Sequence, residues 1–278
     1  MDHLEAHRRW FAQLITANAG VPATNRLVEA FATTPREKFV GPGPWQVFTR
    51  LGYIETPSDD PAFLYQDITI ALKGGQQINN GQPTLHAVCL AALGVKEGER
   101  VVHVGAGTGY YTALLARLVG PSGSVAAYEI EPDLAARASE NLADLQQAEV
   151  RSASGTEGRL PECDALYVSA GATGPPDAWL DALRPGGRLL FPLTPNQGMG
   201  AMLLVTRMEN DAFAARFVCG AMFIPCVGAR DEETAKNLAA AFARGDMAKV
   251  QSLRRGAETD ETVWCAGHGW WLSTAPAA

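Results

Sequence analysis

The sequence predicts an α/β fold: a doubly wound, mostly parallel sheet with a helical extension before it and a helical tail after it. Three observations carry that expectation. Short strands alternate with helices between about residues 81 and 193. The strands are nearly all apolar, as strands covered on both faces must be. The first of them runs straight into a glycine-rich turn and a new helix.

The chain has 278 residues, room for roughly two domains, or one large domain with additions, and for a sizeable core. Hydrophobic residues make up 47% and charged residues 19%, an ordinary globular composition. Lys and Arg number 23 against 30 Asp and Glu, a net charge of −7. That balance argues against a nucleic-acid partner, which needs a basic footprint. No stretch reaches the ~18 apolar residues of a membrane span, and the start, MDHLEAHRRW, is no secretory signal. Cys89, Cys163, Cys219, Cys226 and Cys265 are odd in number and widely spaced. They argue against a disulfide framework and for a reducing compartment, so a cytoplasmic protein is expected.

The first 75 residues read as a helical cap followed by loop. Leu4, Phe11, Leu14 and Ile15 keep a helical period until Val21-Pro22 breaks it. Thr24 is the expected N-cap of a second helix with Leu27, Val28 and Phe31 on its apolar face. Gly41-Pro42-Gly43-Pro44-Trp45 excludes regular structure. Pro83 opens a helix striped by Leu85, Val88, Cys89 and Leu93, and Gly94 ends it. Residues 100–104 read as a strand, 110–119 as a helix closed by Gly120, 124–130 as a strand and 132–145 as a helix. A strand at 164–169, a helix at 177–183 and a strand at 188–193 follow, the last after a turn at 184–187. Beyond Pro195, segments 201–208 and 213–222 flank Glu209-Asn210-Asp211, a hairpin turn. Residues 231–243 form a helix with Asp231, Glu232 and Glu233 at its positive end. The tail after it carries Trp264, Trp270 and Trp271, which are expected to bury it against the core.

The chemistry lies in Val101-Val102-His103-Val104-Gly105-Ala106-Gly107-Thr108-Gly109-Tyr110. The glycines let the backbone turn sharply and approach a ligand, and the helix start offers free N–H groups. Twenty residues after Gly109, Glu129 ends the next strand, where a carboxylate can accept both hydroxyls of a ribose. Dinucleotide folds want G-x-G-x-x-G, and Tyr110 stands at the last of those positions. A nucleoside without a diphosphate, such as S-adenosylmethionine, fits better. No metal site is expected. His3 and His7 lack a third ligand, and Cys265-x-x-His268 lacks a partner pair.

The sequence resembles the protein-L-isoaspartate O-methyltransferases, a branch of the class I S-adenosylmethionine methyltransferases. The resemblance covers about residues 20 to 228. It rests on VEAFATTPREKFVGP, YQDITIALKGGQQI, the glycine loop, the acidic strand end, CDALYVSAGA and LRPGGRLLFPL. It implies a Rossmann-like class I methyltransferase fold divided into a cap region at 1–75, a cofactor domain at 76–228 and an extension at 229–278. It also implies methyl transfer to a carboxylate of a peptide, a protein or a small molecule, with isoaspartyl residues in protein repair as the leading acceptor. By the resemblance the cofactor site comprises Gln77, Ile78, His103, Gly105, Ala106, Gly107, Thr108, Gly109, Tyr110, Glu129, Ile130, Ser154, Gly155 and Ser169. His86 matches a family histidine and is expected to be structural.

Three departures from the family stand out. The family loop reads like Gln-x-Ile-Ser-x-Pro, whereas here two residues are inserted and Asn or Gly replaces the serine, in Gln76-Gln77-Ile78-Asn79-Asn80-Gly81-Gln82-Pro83. His103 stands where the family has an acid, and Ala153-Ser154-Gly155 where it has Gly-Asp-Gly. A carboxylate is already a nucleophile at neutral pH, so no general base is required and catalysis is by alignment and exclusion of water. The expected donors to the acceptor carboxylate are Asn79, Asn80 and Gln82, with Thr173 and residues 170–172 closing the far side. Two alternatives stay open: a different peptide or small-molecule carboxylate, and a cofactor-binding protein without transferase activity.

Overall fold

The structure, a computed structural model, describes residues 3–73 and 78–277. In chain order it begins with α1 (His3–Asn18), α2 (Arg26–Thr33) and α3 (Glu37–Val40). A hairpin of β1 (Gln46–Thr49) and β2 (Gly52–Glu55) follows, then the short pair β3 (Ala71–Lys73) and β4 (Ile78–Asn79), then α4 (Pro83–Leu93). Next come β5 (Arg100–Val104), α5 (Tyr110–Val119), β6 (Ser124–Glu129), α6 (Pro132–Asn141) and β7 (Ala148–Ser152). The rest is β8 (Cys163–Val168), α7 (Asp177–Asp181), β9 (Leu183–Leu193), β10 (Gly200–Arg207), β11 (Phe213–Ala221), α8 (Glu232–Arg244), β12 (Ser252–Arg255), β13 (Val263–Gly267) and β14 (Trp270–Ser273). No helix among the described residues is long and apolar enough to cross a membrane.

Two compact units divide the chain, Met1–Gly98 with Ala106–Ala153, and Glu99–Gly105 with Ser154–Ala278. In the first, Phe11 and Ile15 of α1, Leu27 and Phe31 of α2, and Leu90 and Leu93 of α4 are buried. Edge-to-face rings join Phe11 to Phe31 (6.3 Å) and to Tyr65 (5.7 Å). Asn25, not Thr24, caps α2, its side chain accepting the N–H of Leu27. Arg36 is wholly buried. Its Nη1 donates to the carbonyls of Leu64 (2.5 Å) and Gln66 (2.9 Å), and its Nη2 to that of Ile68 (2.5 Å). The loop so held brings Asp67 to the start of α4, where Oδ1 accepts the N–H of Thr84 (2.8 Å). Asp67 thus caps a helix whose own N-cap residue, Gln82, makes no side-chain cap. Strands β6 and β7 pair in parallel in this unit.

In the second unit the strand order is β13-β14-β12-β11-β10-β9-β8-β5. β5, β8 and β9 are parallel, and every later pairing is antiparallel. Burial of Ala165, Leu166, Tyr167 and Val168 on both faces of β8 explains its unbroken apolar run. Arg188 on β9 grips Glu99 with two bonds of 2.9 and 2.8 Å, fixing the start of β5.

The structure adds to the sequence reading at four places. β9 begins at Leu183, so the expected turn at 184–187 lies within the strand, beside a register break against β8. β7 and the β1–β2 hairpin are strands in segments left unassigned or read as loop. The helix read as 132–145 stops at Asn141. The tail holds its expected helix, α8, capped by Asp231, and three strands besides. Trp264, Trp270 and Trp271 are buried there.

Candidate active site

The turn from β5 into α5 is built on left-handed glycines, with φ of 57° at Gly107 and 94° at Gly109. Space excludes a side chain as well. A Cβ on Gly109 would stand 3.0 Å from Leu142 Cδ1, and one on Gly107 3.3 Å from Leu72 Cδ1. The loop's side chains are turned into the protein. Thr108 Oγ1 donates to the carbonyl of Phe39 (2.5 Å). The Tyr110 ring packs against Phe39 (5.5 Å) and Phe31 (6.4 Å), and its buried hydroxyl has no partner. Phe39 belongs to the REKFV stretch, so that stretch is physically coupled to the glycine loop. Ala106 is buried too, its N–H donated to the Tyr128 carbonyl (3.1 Å). What the turn offers a ligand is therefore backbone.

Glu129 closes this arrangement. Its Oε2 accepts the N–H of Gly107 (2.6 Å), and its Oε1 accepts that of Glu131 (3.0 Å). The residue is only 6% exposed. Burial pushes its carboxyl above the ordinary value, and the backbone N–H groups of Glu131, Gly107 and Ile130 pull part of the way back. Each oxygen keeps a lone-pair direction beyond its backbone donor. Ile130 follows with its side chain 42% exposed, an apolar surface beside the acid. Glu131 is held by Lys73 Nζ (2.5 Å), which also meets Asp133 (2.6 Å). Sequence reasoning missed this Lys73–Glu131–Asp133 cluster, and its only local signal was a second acid two residues after Glu129.

The segment expected to meet the acceptor is strapped to β3. Ala71 pairs with Asn79, and Lys73 with Ile78. Asn79 Oδ1 accepts the N–H of Gly81 (3.0 Å). Asn80 Oδ1 accepts the N–H of Ile70 (2.9 Å), while its Nδ2 is buried without a partner. Gln82 Nε2 donates to Asp67 Oδ2 (2.9 Å). Gln77 lies outside the described residues. His86 is buried and stacked on Tyr111 at 3.5 Å, where any side chain on Gly81 would collide with it. That is the structural role expected of it.

The remaining expected residues belong to the second unit. His103 is fully buried, its Nε2 3.0 Å from Ser169 Oγ and its ring 5.4 Å from Tyr167. Burial pushes its pKa down to about 3, so the imidazole is neutral at physiological pH. Gly105 sits beside Ser169, a Cβ there being 3.5 Å from the Ser169 carbonyl. Ser154 Oγ meets Thr156 Oγ1 at 2.8 Å, and the Gly155 carbonyl accepts the indole N–H of Trp179 (2.7 Å). Trp179, which sequence reasoning did not single out, thereby positions this turn. Thr173 is buried and accepts the N–H of Asp231 (2.8 Å), tying the 170–173 loop to the start of α8.

The neutral histidine has a measurable consequence. The unfolded chain binds a proton on His103 near pH 6.5, and the folded chain does so only near 3. Between those values the unfolded state holds more protons, so stability falls as pH falls. Between pH 7 and pH 5, native chain is expected to lose about 2 kcal/mol more than His103→Asn in urea unfolding. Parallel losses in the two proteins would place the His103 pKa near its ordinary value.

The family model described as Protein-L-isoaspartate(D-aspartate) O-methyltransferase (PCMT) matches residues 8–231. The chain belongs to the protein-L-isoaspartate O-methyltransferase family. A relative from Brucella anthropi named protein-L-isoaspartate O-methyltransferase is 33% identical over 205 residues, 73% of this chain and 86% of its own. One of the same name from Methanopyrus kandleri is 32% identical over 214 residues, 75% and 86% of the two chains. Among solved structures, a protein-L-isoaspartate O-methyltransferase superposes with a TM-score of 0.66 at 20% identity, covering 95% of this chain and 86% of that one. A Plasmodium falciparum chain described as a beta-aspartate methyltransferase (PCMT), in complex with S-adenosyl-L-homocysteine, gives 0.64 at 18% identity, covering 80% and 98%. These superpositions establish the Rossmann-like α/β fold that the alternation of strands and helices predicts. The family match ends where α8 begins, so that helix and the strands β12 to β14 lie beyond it.

Proposed function

We propose that this chain transfers a methyl group from S-adenosyl-L-methionine to the carboxylate of an isoaspartyl residue, the entry step of protein repair. The observation that carries the reading is the Glu129 carboxylate, each oxygen fixed by one backbone N–H beside the glycine turn. That donor set fits an adenosyl ligand: two oriented acceptors suit a vicinal diol, and the exposed Ile130 offers an apolar surface to a base. Gly107 and Gly109 leave backbone, not side chain, facing the ligand. When bound, the cofactor supplies a methyl carbon already activated by a positive sulfur.

The chain's own residues bind and align the acceptor. A carboxylate with a pKa near 4 is ionised at neutral pH and needs no base. Asn80 is the favoured donor to it, because its Nδ2 is buried and otherwise unsatisfied. An unpaired buried amide costs roughly 1–3 kcal/mol, a cost recovered once a carboxylate accepts from it. Asn79 and Gln82 flank it on the same loop.

The test is methyl-ester formation on an isoaspartyl peptide by native chain and by Asn80→Asp. The substitution keeps the acceptor for the Ile70 N–H and replaces the donor by a like charge. We expect kcat to fall about 100-fold or more, with binding of S-adenosyl-L-homocysteine retained as the sign of an intact fold, while the buried carboxylate lowers the melting temperature. Retained turnover would remove Asn80 from the site. A second reading, cofactor binding without turnover, draws on the neutral His103 in the family's acidic position. Calorimetric binding of S-adenosyl-L-methionine with no methylation of any carboxylate would favour it.

A further inference from the structure

We propose that the pocket beside α6 is a subsite for an acidic side chain of the polypeptide acceptor, with Arg137 as its anion-binding group. The proposal rests on the methyl-transfer reading above and names the acceptor class more closely. The cavity measures about 330 Å³ and is lined by Val40, Trp45, Gln46, Ala71, Leu72 and Arg137, among others. That is the size of a small-ligand or side-chain site. Two of its wall residues, Val40 and Trp45, share a core cluster with Leu64 and Ile70.

Into this pocket, among the described residues, projects a guanidinium with no counter-charge. Among the described residues no Asp or Glu stands within ion-pair distance of Arg137. Among the described residues its one hydrogen bond is a long contact of 3.5 Å from Nη1 to the Leu72 carbonyl. The usual partner would be Asp133, one turn earlier on α6. Lys73 holds that carboxylate instead, at 2.6 Å. Nη2 lies over Gly41, where a Cβ would be 3.1 Å away, so the glycine leaves room for the head group. A planar guanidinium with donors to spare recognises a carboxylate well. In a chain of net charge −7, which repels acidic peptides at long range, this is a local attraction of the opposite sign.

The location ties the pocket to the acceptor loop. Ala71 and Leu72 form a pocket wall on β3, and Ala71 pairs with Asn79 on β4. Paired strands lie about 4.8 Å apart. The pocket wall and the strand carrying Asn79 are therefore neighbours, within reach of a few residues of extended chain. The acceptor favoured by this placement carries an acid a few residues from its isoaspartyl group.

The experiment compares two isoaspartyl peptides of equal length, with Glu or Gln three residues from the acceptor, on the full chain. Native chain is expected to show a KM about tenfold lower for the Glu peptide, the worth of one charge-assisted contact. Arg137→Met should erase the difference while leaving kcat, cofactor affinity and the KM of the Gln peptide unchanged. Arg137→Lys should restore part of it. Equal KM values in native chain, or a Glu preference that survives Arg137→Met, would overturn the subsite. Calorimetry with a Glu peptide carrying ordinary Asp at the acceptor position separates this from the methylation reading. Arg137-dependent binding without methylation of any peptide would leave the subsite standing and remove that reading. Methylation indifferent to Arg137 would do the reverse.

Discussion

Glu129→Ala is expected to weaken binding of S-adenosyl-L-homocysteine by on the order of 10³-fold, measured by calorimetry. Two charge-assisted hydrogen bonds are lost together, each worth roughly 1.5–3 kcal/mol, and every 1.4 kcal/mol is tenfold. The carboxylate is already oriented by Gly107 and Glu131, so native chain spends no ordering entropy on it at binding. The pH dependence supplies a second readout. Because burial raises the Glu129 carboxyl above its ordinary value, affinity in native chain should fall on acidification earlier than an exposed glutamate would cause. Stability of the ligand-free chain runs the other way. A raised folded-state pKa contributes stability below the unfolded value and loses it as pH rises through the folded value. Glu129 therefore carries a charge that the empty fold disfavours and that the proposed ribose contact would use. A Kd for Glu129→Ala within twofold of native would take Glu129 out of the cofactor site.

Glu129 stood out in the sequence as a candidate because a lone carboxylate ending an apolar run is costly unless something meets it. β5 and α5 were legible to the residue, because an apolar strand, a glycine turn and a closing glycine are all local signals. What stayed hidden depends on contacts distant in sequence. Lys73 meets Glu131 across 58 residues, and no spacing rule encodes that. β7 was missed because Ala148, Glu149, Val150, Arg151 and Ser152 are half-buried or exposed, a polar strand with none of the apolar run of its neighbours. The β1–β2 hairpin was read as loop because Gly41–Trp45 before it is irregular. Its turn at Gly52, with φ of 109°, is a signal that reading passed over. In the tail the three tryptophans announced burial, but strands as short as β12 and β14, four residues each, carry too few positions to show a period. Within the acceptor loop, composition gave Asn79, Asn80 and Gln82 equal standing. Only the hydrogen bonds separate them, with Gln82 engaged by Asp67 and Asn80 left with a spare donor.

Arg36→Met is expected to cost about 3–5 kcal/mol of stability, a fall of about 10 °C in melting temperature. The guanidinium donates to three carbonyls, of Leu64, Gln66 and Ile68, and its removal takes that donor from each, the Gln66 carbonyl alone, among the described residues, keeping a second one, the Ile68 N–H (2.9 Å). Relief of burying a cation offsets part of this, and its lowered pKa records that burial penalty. The ring of Phe11, 5.5 Å below the guanidinium, compensates only part of it. Three donor bonds against one desolvated charge leave the balance on the side of loss. Arg36→Lys should recover less than half, since an ammonium cannot fork across three carbonyls spaced over residues 64 to 68. The damage should also reach the active site. Residues 64–68 carry Asp67, Asp67 caps α4 and holds Gln82, and α4 is entered through Asn79 and Asn80. Arg36→Met should therefore lose turnover in step with its loss of melting temperature, whereas Asn80→Asp should lose far more turnover than its change in stability accounts for. Melting within 2 °C of native would mean that the 64–68 loop keeps its place by packing, with Leu64 and Ile70 in the core cluster supplying the hold now assigned to Arg36.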